Sequence, residues 1–304
     1  MNAEVLRGLW RLADPKISLT SVAGITVGAA AVLASTDASI AWDWLAVTFA
    51  AYFCMEVAKN AWGEVVDWDS GVDAAVDPAD RTDFSGGKRV LVDRLLTRRQ
   101  TWAVAALFTF SGLVLGAAIV FVREPAAFWI GAIGFVLGWS YHGPPLKLAY
   151  RGLGELDVVA CYGPLIVLST ELIQVHSMSP GALGLSLPLG LLIAAFLIVN
   201  EFPDYRADRA HGKRNLVVRL GRRRAAWLLV AVYGVAFALL ASLPWLGLPA
   251  GVLLGGIAAI PAAAAAWQVL RRPETFHRDR PAQPLALAAF LAYAAGVAAG
   301  AALG

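Results

Sequence analysis

The chain has 304 residues, of which 59% are hydrophobic and only 15% charged, with a mean hydropathy of +0.64. A soluble globular domain carries about 45–50% apolar and about 25% charged residues, so an ordinary water-soluble enzyme and a disordered chain are excluded. The net charge of +3 and the pI near 9.0 do not imply a nucleic-acid partner, because the basic residues avoid the apolar runs and gather in particular loops, as membrane topology requires.

A helix needs about 20 residues to cross the roughly 30 Å apolar core of a bilayer. The N-terminal stretch Met1 to Lys16 is polar and mildly amphipathic, with no cleavable signal visible, and Leu6, Leu9, Trp10 and Leu12 are expected on the membrane surface. Apolar runs between charged or Pro/Gly-rich breaks then predict nine helices: Ile17–Ser35, Trp42–Val66, Gln100–Val122, Ala126–Tyr141, Leu156–Val175, Gly184–Phe202, Ala225–Leu243, Ala250–Leu270 and Pro284–Leu303. The expected fold class is all-α, a polytopic membrane protein built as a nine-helix transmembrane bundle. One domain spans 1–304, as two four-helix halves (about 17–141 and 156–270) and a ninth helix (about 284–303). Cys54 and Cys161 lie inside apolar segments and read as small packing residues, not as a disulfide.

Of the 25 Lys and Arg residues, all but Lys59 and Arg123 fall on one side of this layout. They sit in the N-terminus, in the loops after helices 2, 4 and 6, and after helix 8 with Arg271, Arg272, Arg278 and Arg280. That asymmetry predicts a cytoplasmic N-terminus, an external C-terminus and integration in the cytoplasmic membrane. Three inner loops, about 67–99, 142–155 and 203–224, carry nearly all the informative polar residues, so the active face is expected to be the cytoplasmic one.

Helix 2 ends in Asn60-Ala-Trp-Gly-Glu64-Val-Val-Asp67 and helix 6 in Asn200-Glu-Phe-Pro-Asp204-Tyr-Arg-Ala-Asp208. Residues three or four apart share a helix face, so Asn60, Glu64 and Asp67 form one polar stripe, and Asn200, Asp204 and Asp208 another. A carboxylate at the end of a span is costly unless paired, hydrated or metal-bound. Two such clusters without His or Cys ligands suit a hard, oxygen-seeking cation, Mg²⁺ first; the plainer reading is helix-end charge facing water. Lys88 and Arg89 follow Gly86-Gly87, Lys147 follows Pro144-Pro145, and Lys213 follows Gly212. Glycine admits close backbone approach while Lys and Arg neutralise phosphate oxygens; each cation is alternatively ordinary loop charge, the better reading for Arg222 to Arg224 and Arg271-Arg272.

Three stretches carry a resemblance: the second motif from Asn200 through Lys213 to Gly221, Tyr141-His-Gly-Pro-Pro-Leu-Lys147-Leu-Ala-Tyr150-Arg151-Gly-Leu-Gly-Glu155, and Ser85-Gly-Gly-Lys-Arg. The chain resembles the UbiA superfamily of intramembrane prenyltransferases, nine-helix bundles with two aspartate-rich motifs. It is most similar to the branch that prenylates 1,4-dihydroxy-2-naphthoate for menaquinone. That branch's first motif usually reads Asn-x-x-Asn-Asp-x-x-Asp; here Gly63 stands for the second Asn and Glu64 for the first Asp, while Gly71 and Asp73 follow as usual.

The resemblance implies an enzyme in which Asn60, Glu64, Asp67, Asp204 and Asp208 hold two Mg²⁺ ions on an isoprenyl diphosphate. Lys88, Arg89, Lys147, Arg151, Lys213, Asn60 and Asn200 would bind the diphosphate. An aromatic acceptor attacks the allylic cation, with Tyr141, Tyr150 and Trp139 shielding it by their π-faces. Trp139 reads better as an interfacial anchor, and His142 either orients or deprotonates the acceptor or is a hydrated loop residue. His176, His211 and His277 read as loop residues. Asp67, Asp204, Asp208, Lys147, Tyr141 and His142 are the candidate catalytic residues. The expected partners are the two substrates and membrane lipid, with no nucleic acid and no obligate protein. Other acceptors, a terpene-cyclase variant of the same fold and, more distantly, a transporter stay open at this point.

Overall fold

The computed structural model describes residues 3–36, 38–279 and 282–303, so Arg280 of the expected basic face lies outside the described residues. Regular structure among the described residues is helical throughout.

Helix α1 (Ala3–Ala13) is amphipathic, but its apolar face is divided. Leu12 is fully buried and Leu9 packs beside it on Ala58, Ala61 and Trp62, whereas Leu6 and Trp10 point outward. Two of the four residues expected on the membrane surface therefore belong to the protein's interior. Asp14 takes a left-handed backbone, and Pro15, its φ preset for a first helical turn, starts α2 (Pro15–Ser35).

Helix α3 (Trp42–Ser70) runs four residues past the expected Val66 and stops where Gly71 adopts the positive φ of a helix C-cap. Asp67 is thereby carried on the helix. Thr97 and Gln100 form a capping box for α4 (Arg98–Ala118), which a π-turn extends through Arg123. Helix α5 (Ala127–His142) has 16 residues. The segment expected as one helix over Leu156–Val175 is bent: α6 (Gly154–Ala160) and α7 (Ile166–Val175) meet through a π-turn at Cys161–Leu165, where Pro164 offers no backbone N–H.

The longest helix, α8 (Pro180–Ala210), has 31 residues; Ser179 caps its start, and it continues beyond the expected end at Phe202, through Pro203, to Ala210. After the short α9 (Leu216–Leu220) come α10 (Arg222–Ser242) and a 3-10 segment at Ala250–Ala258 that leads into α11 (Ala259–Arg271). The chain closes with α12 (Phe276–Asp279) and α13 (Gln283–Leu303).

Helix α8 is the centre of the bundle, packed by α2, α6, α10 and α13, with Leu185, Leu189, Leu192, Phe196, Val199 and Phe202 out of contact with solvent. Lipid tails are as apolar as leucine, so such helices associate by close packing, not by water exclusion. The contact of α13 with the 3-10 segment shows this: a Cβ at Gly251 or Gly300 would overlap the facing backbone. Helix α4 does the opposite and turns Leu107, Phe110, Leu113 and Phe121 outward.

Among the described residues seven helical stretches are long and apolar enough to cross a membrane: Ala3–Ser35, Arg98–Arg123, Gly154–Val175, Pro180–Ala210, Arg222–Leu246, Ala250–Arg271 and Gln283–Leu303. Helix α3, charged along its second half, and the short α5 fall outside that group.

The connection 71–97 folds over one end of the bundle and is fastened there. Asp80 is buried and accepts from His277 Nε2 (3.1 Å) and Arg278 Nε (3.0 Å) beside α12, and Gln283 donates to Thr82 (2.9 Å). Arg278 and His277 hold the Asp80 carboxyl below its ordinary range against the effect of burial, while burial lowers the His277 imidazole.

Candidate active site

Helices α3 and α8 end under this loop with their polar stripes facing the same region. Asn60, Glu64, Asp67, Asn200 and Asp208 are each more than nine-tenths buried, so every polar atom needs an accounted partner. Asp67 is the most heavily engaged: its Oδ1 accepts from the Tyr150 hydroxyl (2.7 Å) and its Oδ2 from Lys213 Nζ (3.3 Å), with His142 Nε2 at 3.8 Å. Glu64 Oε1 accepts from the Leu91 N–H at 2.8 Å, and Asn60 Nδ2 donates to the Leu12 carbonyl at 2.9 Å. On α8, Asp204 Oδ2 accepts from the Gly86 N–H (3.0 Å) and Asp208 Oδ2 from Asn215 Nδ2 (2.8 Å). Glu64 Oε2, Asp204 Oδ1 and Asn200 Oδ1 are buried with no partner among the described residues.

A cavity of about 210 Å³ opens beside the α8 stripe, with Lys88, Tyr141, Asn200, Glu201, Asp204, Asp208 and Lys213 in its wall; Asn60, Glu64 and Asp67 of α3 do not line it, and Asp67 reaches it through Lys213. Burial alone would depress the Lys213 ammonium, but Asp67 and Asp208 outweigh it and hold the group well above its ordinary value, firmly charged. Asp73 also belongs here: a Cβ at Gly87 would overlap its carboxyl, so only glycine admits it, and burial together with Asp67 pushes that carboxyl well above the usual carboxylate range. A separate hollow beside α1, lined by Arg7, Arg11 and Asp93, contains none of the motif residues.

Not every expected residue reaches the cavity. Lys88 does, and pairs there with Asp14. Arg89 is drawn off to Asp93 (3.0 Å) and the Asp73 carbonyl (3.2 Å), and Arg151 to the Pro145 carbonyl (3.0 Å); neither lines the cavity. Lys147 lies over the Tyr150 ring, 5.6 Å from its centroid, and does not line the cavity. Tyr150 itself has Lys147 and Lys213 at 5.6 and 5.7 Å from its ring centroid, donates its hydroxyl proton to Asp67, and does not line the cavity. Trp139 packs on Trp62 at 5.0 Å, outside the cavity wall. His142 is not a hydrated loop residue: its ring is seated against Gly63, where a Cβ would come within 2.7 Å of Nδ1, and that nitrogen has no partner among the described residues. Sequence reasoning passed over Glu201 and Asn215, although both lie inside the second motif, as well as Asp14, for which position along the chain gave no signal.

In the cavity wall the donors left over are oxygens: one carboxylate oxygen each from Glu201 and Asp204, and the Asn200 carbonyl; Glu64 Oε2 and His142 Nδ1, also unpartnered, lie outside the wall. That set fits a hard divalent cation. Among the described residues no group of three or more His, Cys, Asp or Glu side chains is arranged to hold a metal ion by itself. The fit is therefore to Mg²⁺, which takes one or two carboxylates and completes its shell with phosphate and water.

Residues 22–294 match the model of the UbiA prenyltransferase family. The chain belongs to that family. It is 26% identical over 233 residues to the 1,4-dihydroxy-2-naphthoate octaprenyltransferase of Bacillus subtilis, covering 75% of this chain and 71% of the relative. It is 30% identical over 223 residues to the enzyme of the same name from Mycobacterium tuberculosis, covering 71% and 74%. Among solved structures, a UbiA homologue from Aeropyrum pernix superposes with a TM-score of 0.66 at 21% identity over 92% of this chain and 97% of its own. One from Archaeoglobus fulgidus, solved with GPP and Mg²⁺, gives 0.62 at 16% identity over 95% and 99%. These two share the fold. The protein is thus an integral-membrane prenyltransferase whose relatives include naphthoate-prenylating enzymes.

Proposed function

We propose that this prenyltransferase transfers an isoprenyl group from a polyprenyl diphosphate to 1,4-dihydroxy-2-naphthoate, with Mg²⁺ as cofactor. The observation that carries the reading is at the end of α8: the unpartnered carboxylate oxygen of Asp204 and the partly buried ammonium of Lys213, which is paired with Asp67 of α3, line one cavity. The named relatives support the choice of acceptor.

Glu64, Asp67, Asp204 and Asp208, with Asn60 and Asn200 as neutral oxygen donors, would hold the metal, taken here as two ions. Bound Mg²⁺ neutralises diphosphate oxygens and so makes diphosphate a better leaving group. Lys88 and Lys213 lie in the cavity wall to take charge on the departing diphosphate, electrostatic stabilisation supplied from fixed positions. Lys213 is already oriented by Asp67, so little reorganisation is needed. The C–O bond of the prenyl diphosphate breaks with its electron pair leaving on diphosphate. The electron-rich ring then supplies the pair for the new C–C bond, and loss of the ring carboxylate as CO₂ returns a pair to the ring. Tyr141 contributes a ring face to the cavity in which the allylic cation would form.

The topology we infer with this function is a nine-helix bundle of two four-helix halves and a ninth helix, α3 and α5 completing the seven apolar spans. The N-terminus and the cavity mouth face the cytoplasm and the tail lies among lipid. Substrates and lipid are the only partners the reaction requires. The test is a Mg²⁺-dependent assay on purified protein in detergent with geranylgeranyl or longer polyprenyl diphosphate, with and without 1,4-dihydroxy-2-naphthoate, products followed by mass. A prenylated naphthoquinol with CO₂ release is expected. A cyclised hydrocarbon formed without acceptor, or turnover only with a different acceptor, would overturn the assignment.

A further inference from the structure

Of the candidate residues in the stretch Tyr141 to Glu155, only Tyr141 lines the cavity; His142, Lys147, Tyr150 and Arg151 stand outside it. Tyr150 nevertheless touches both sides of the site. It ends the 3-10 turn Leu148–Tyr150, on neither motif helix. Its hydroxyl donates to Asp67 Oδ1 near the end of α3 (2.7 Å), with Ser70 Oγ of the same helix end 3.0 Å from that hydroxyl. Its ring centroid lies 5.7 Å from Lys213 Nζ, and its carbonyl accepts from the Arg214 N–H at 3.2 Å, so side chain and backbone both meet the loop after α8. Lys147 Nζ lies 5.6 Å from the same ring centroid.

These contacts converge on one ion pair. Lys213 lines the cavity and donates to Asp67 Oδ2 at 3.3 Å, which makes it the link between α3 and the cavity wall. A buried carboxylate needs donors for both of its oxygens. With the Tyr150 proton on Oδ1, Asp67 is satisfied on that side and leaves the remaining protons of the Lys213 ammonium for an anion in the cavity. Without it, an acceptor is left short and the carboxylate draws Lys213 toward itself. A phenol suits the task better than a second cation would. It keeps its proton at neutral pH, gives one hydrogen bond, and adds no charge that would compete with Lys213 for Asp67, while its ring attracts the ammonium.

We propose that Tyr150 is a positioning residue for Lys213, acting through Asp67, and that Lys147 steadies its ring. This rests on the reading of the cavity as the diphosphate site and deepens it, by giving the loop before α6 a task that needs no contact with substrate.

The test titrates wild type, Tyr150→Phe, Lys213→Met and the double variant with pyrophosphate under saturating Mg²⁺, by calorimetry on purified protein in detergent. The KM values for polyprenyl diphosphate and for the acceptor are read alongside. Tyr150→Phe keeps the ring and loses only the hydroxyl. It is expected to weaken pyrophosphate binding and raise the KM for the prenyl diphosphate about tenfold, as when a hydrogen bond to a charged group is lost. The KM for the acceptor should stay near wild type, and the substitution should add little in the Lys213→Met background. Should Tyr150→Phe not fold, Lys147→Met carries the same test, with an expected loss of about threefold that likewise vanishes beside Lys213→Met. Pyrophosphate binding as in wild type, or an equal loss with and without Lys213, would overturn the proposal. So would a rise in both KM values together, the mark of a merely structural hydroxyl. A Lys213→Met protein that binds pyrophosphate as tightly as wild type would instead overturn the diphosphate reading itself, and the proposal with it.

Discussion

Replacing Gly63 by alanine sets a methyl group 2.7 Å from Nδ1 and 2.8 Å from Cε1 of the His142 ring, with Cγ at 3.3 Å. Nonbonded carbon contacts are comfortable at about 3.5–4.0 Å, so the imidazole must retreat by more than half an ångström. It has little room: the Tyr141 ring meets it edge-on with centroids 4.7 Å apart, and its far nitrogen faces Asp67 at 3.8 Å. Overpacking a buried site of this kind costs about 1–3 kcal/mol. Part of that strain falls on Asp67, whose carboxylate is shared by Tyr150 and Lys213. Gly63→Ala is thus expected to lower thermal stability measurably and to cut prenyl transfer about ten- to hundredfold, the usual effect of disturbing a group that orients a metal ligand. His142→Ser makes space for the methyl, so the double variant should recover much of the lost stability. The assay is a double-mutant cycle, thermal unfolding in detergent alongside prenyl transfer under saturating Mg²⁺. Additive effects of the two substitutions, or a Gly63→Ala protein as stable and active as wild type, would refute the idea that this glycine exists to seat His142.

Asp204→Asn keeps shape and removes a charge from the cavity; prenyl transfer is expected to fall at least about a hundredfold while the unfolding temperature stays near wild type, and an active, folded Asp204→Asn enzyme would sink the metal assignment. Removing divalent cations with EDTA should abolish transfer, with recovery on adding Mg²⁺, and should weaken the thermal stabilisation given by a prenyl diphosphate. The fastening of loop 71–97 is expected to be acid-sensitive. His277 has a folded pKa below its unfolded value, so stability declines as pH falls below about 6.5, where the unfolded chain takes up the proton first. Asp80, also depressed, adds its loss only as pH falls from about 4 through its own folded value. His277→Gln retains a donor for Asp80 without titrating, and should remove the upper part of this decline in thermal melts at pH 7, 6 and 5. Asp80→Ala strands a buried imidazole and takes one partner from a half-exposed guanidinium, for a cost of about 2–4 kcal/mol.

The residues that could be found from spacing alone were those on the two motif helices. Asn60, Glu64 and Asp67, and Asn200, Asp204 and Asp208, recur at helical intervals, and helices do carry both sets; the α8 set lines the cavity, while of the α3 set Asp67 is tied to it through Lys213. The end of α8 was less legible, because Pro203 reads as a stop whereas tertiary packing carries the helix through it. Loop cations were harder still. Lys88 and Arg89 are neighbours of like charge, yet one faces the cavity and the other, in a left-handed backbone, swings to Asp93. Nothing local separates them. The seat of His142 on Gly63 joins residues far apart in the chain and depends on the absence of a side chain, which no periodicity can register.

The length of α8 has a further consequence. At about 1.5 Å per residue its 31 residues span about 46 Å, well beyond the roughly 30 Å of hydrocarbon. In the proposed site Asp204 and Asp208, near the C-terminal end of α8, would ride on the overhang, and the helix would work as a depth gauge. It would fix the plane of bond breaking where a diphosphate can stay wet while the chain attached to it remains in oil. Lengthening α8 by one turn ahead of Asn200 would raise that plane by about 5.4 Å, and the enzyme would then have to draw several methylene-rich carbons of every substrate out of the membrane before reacting.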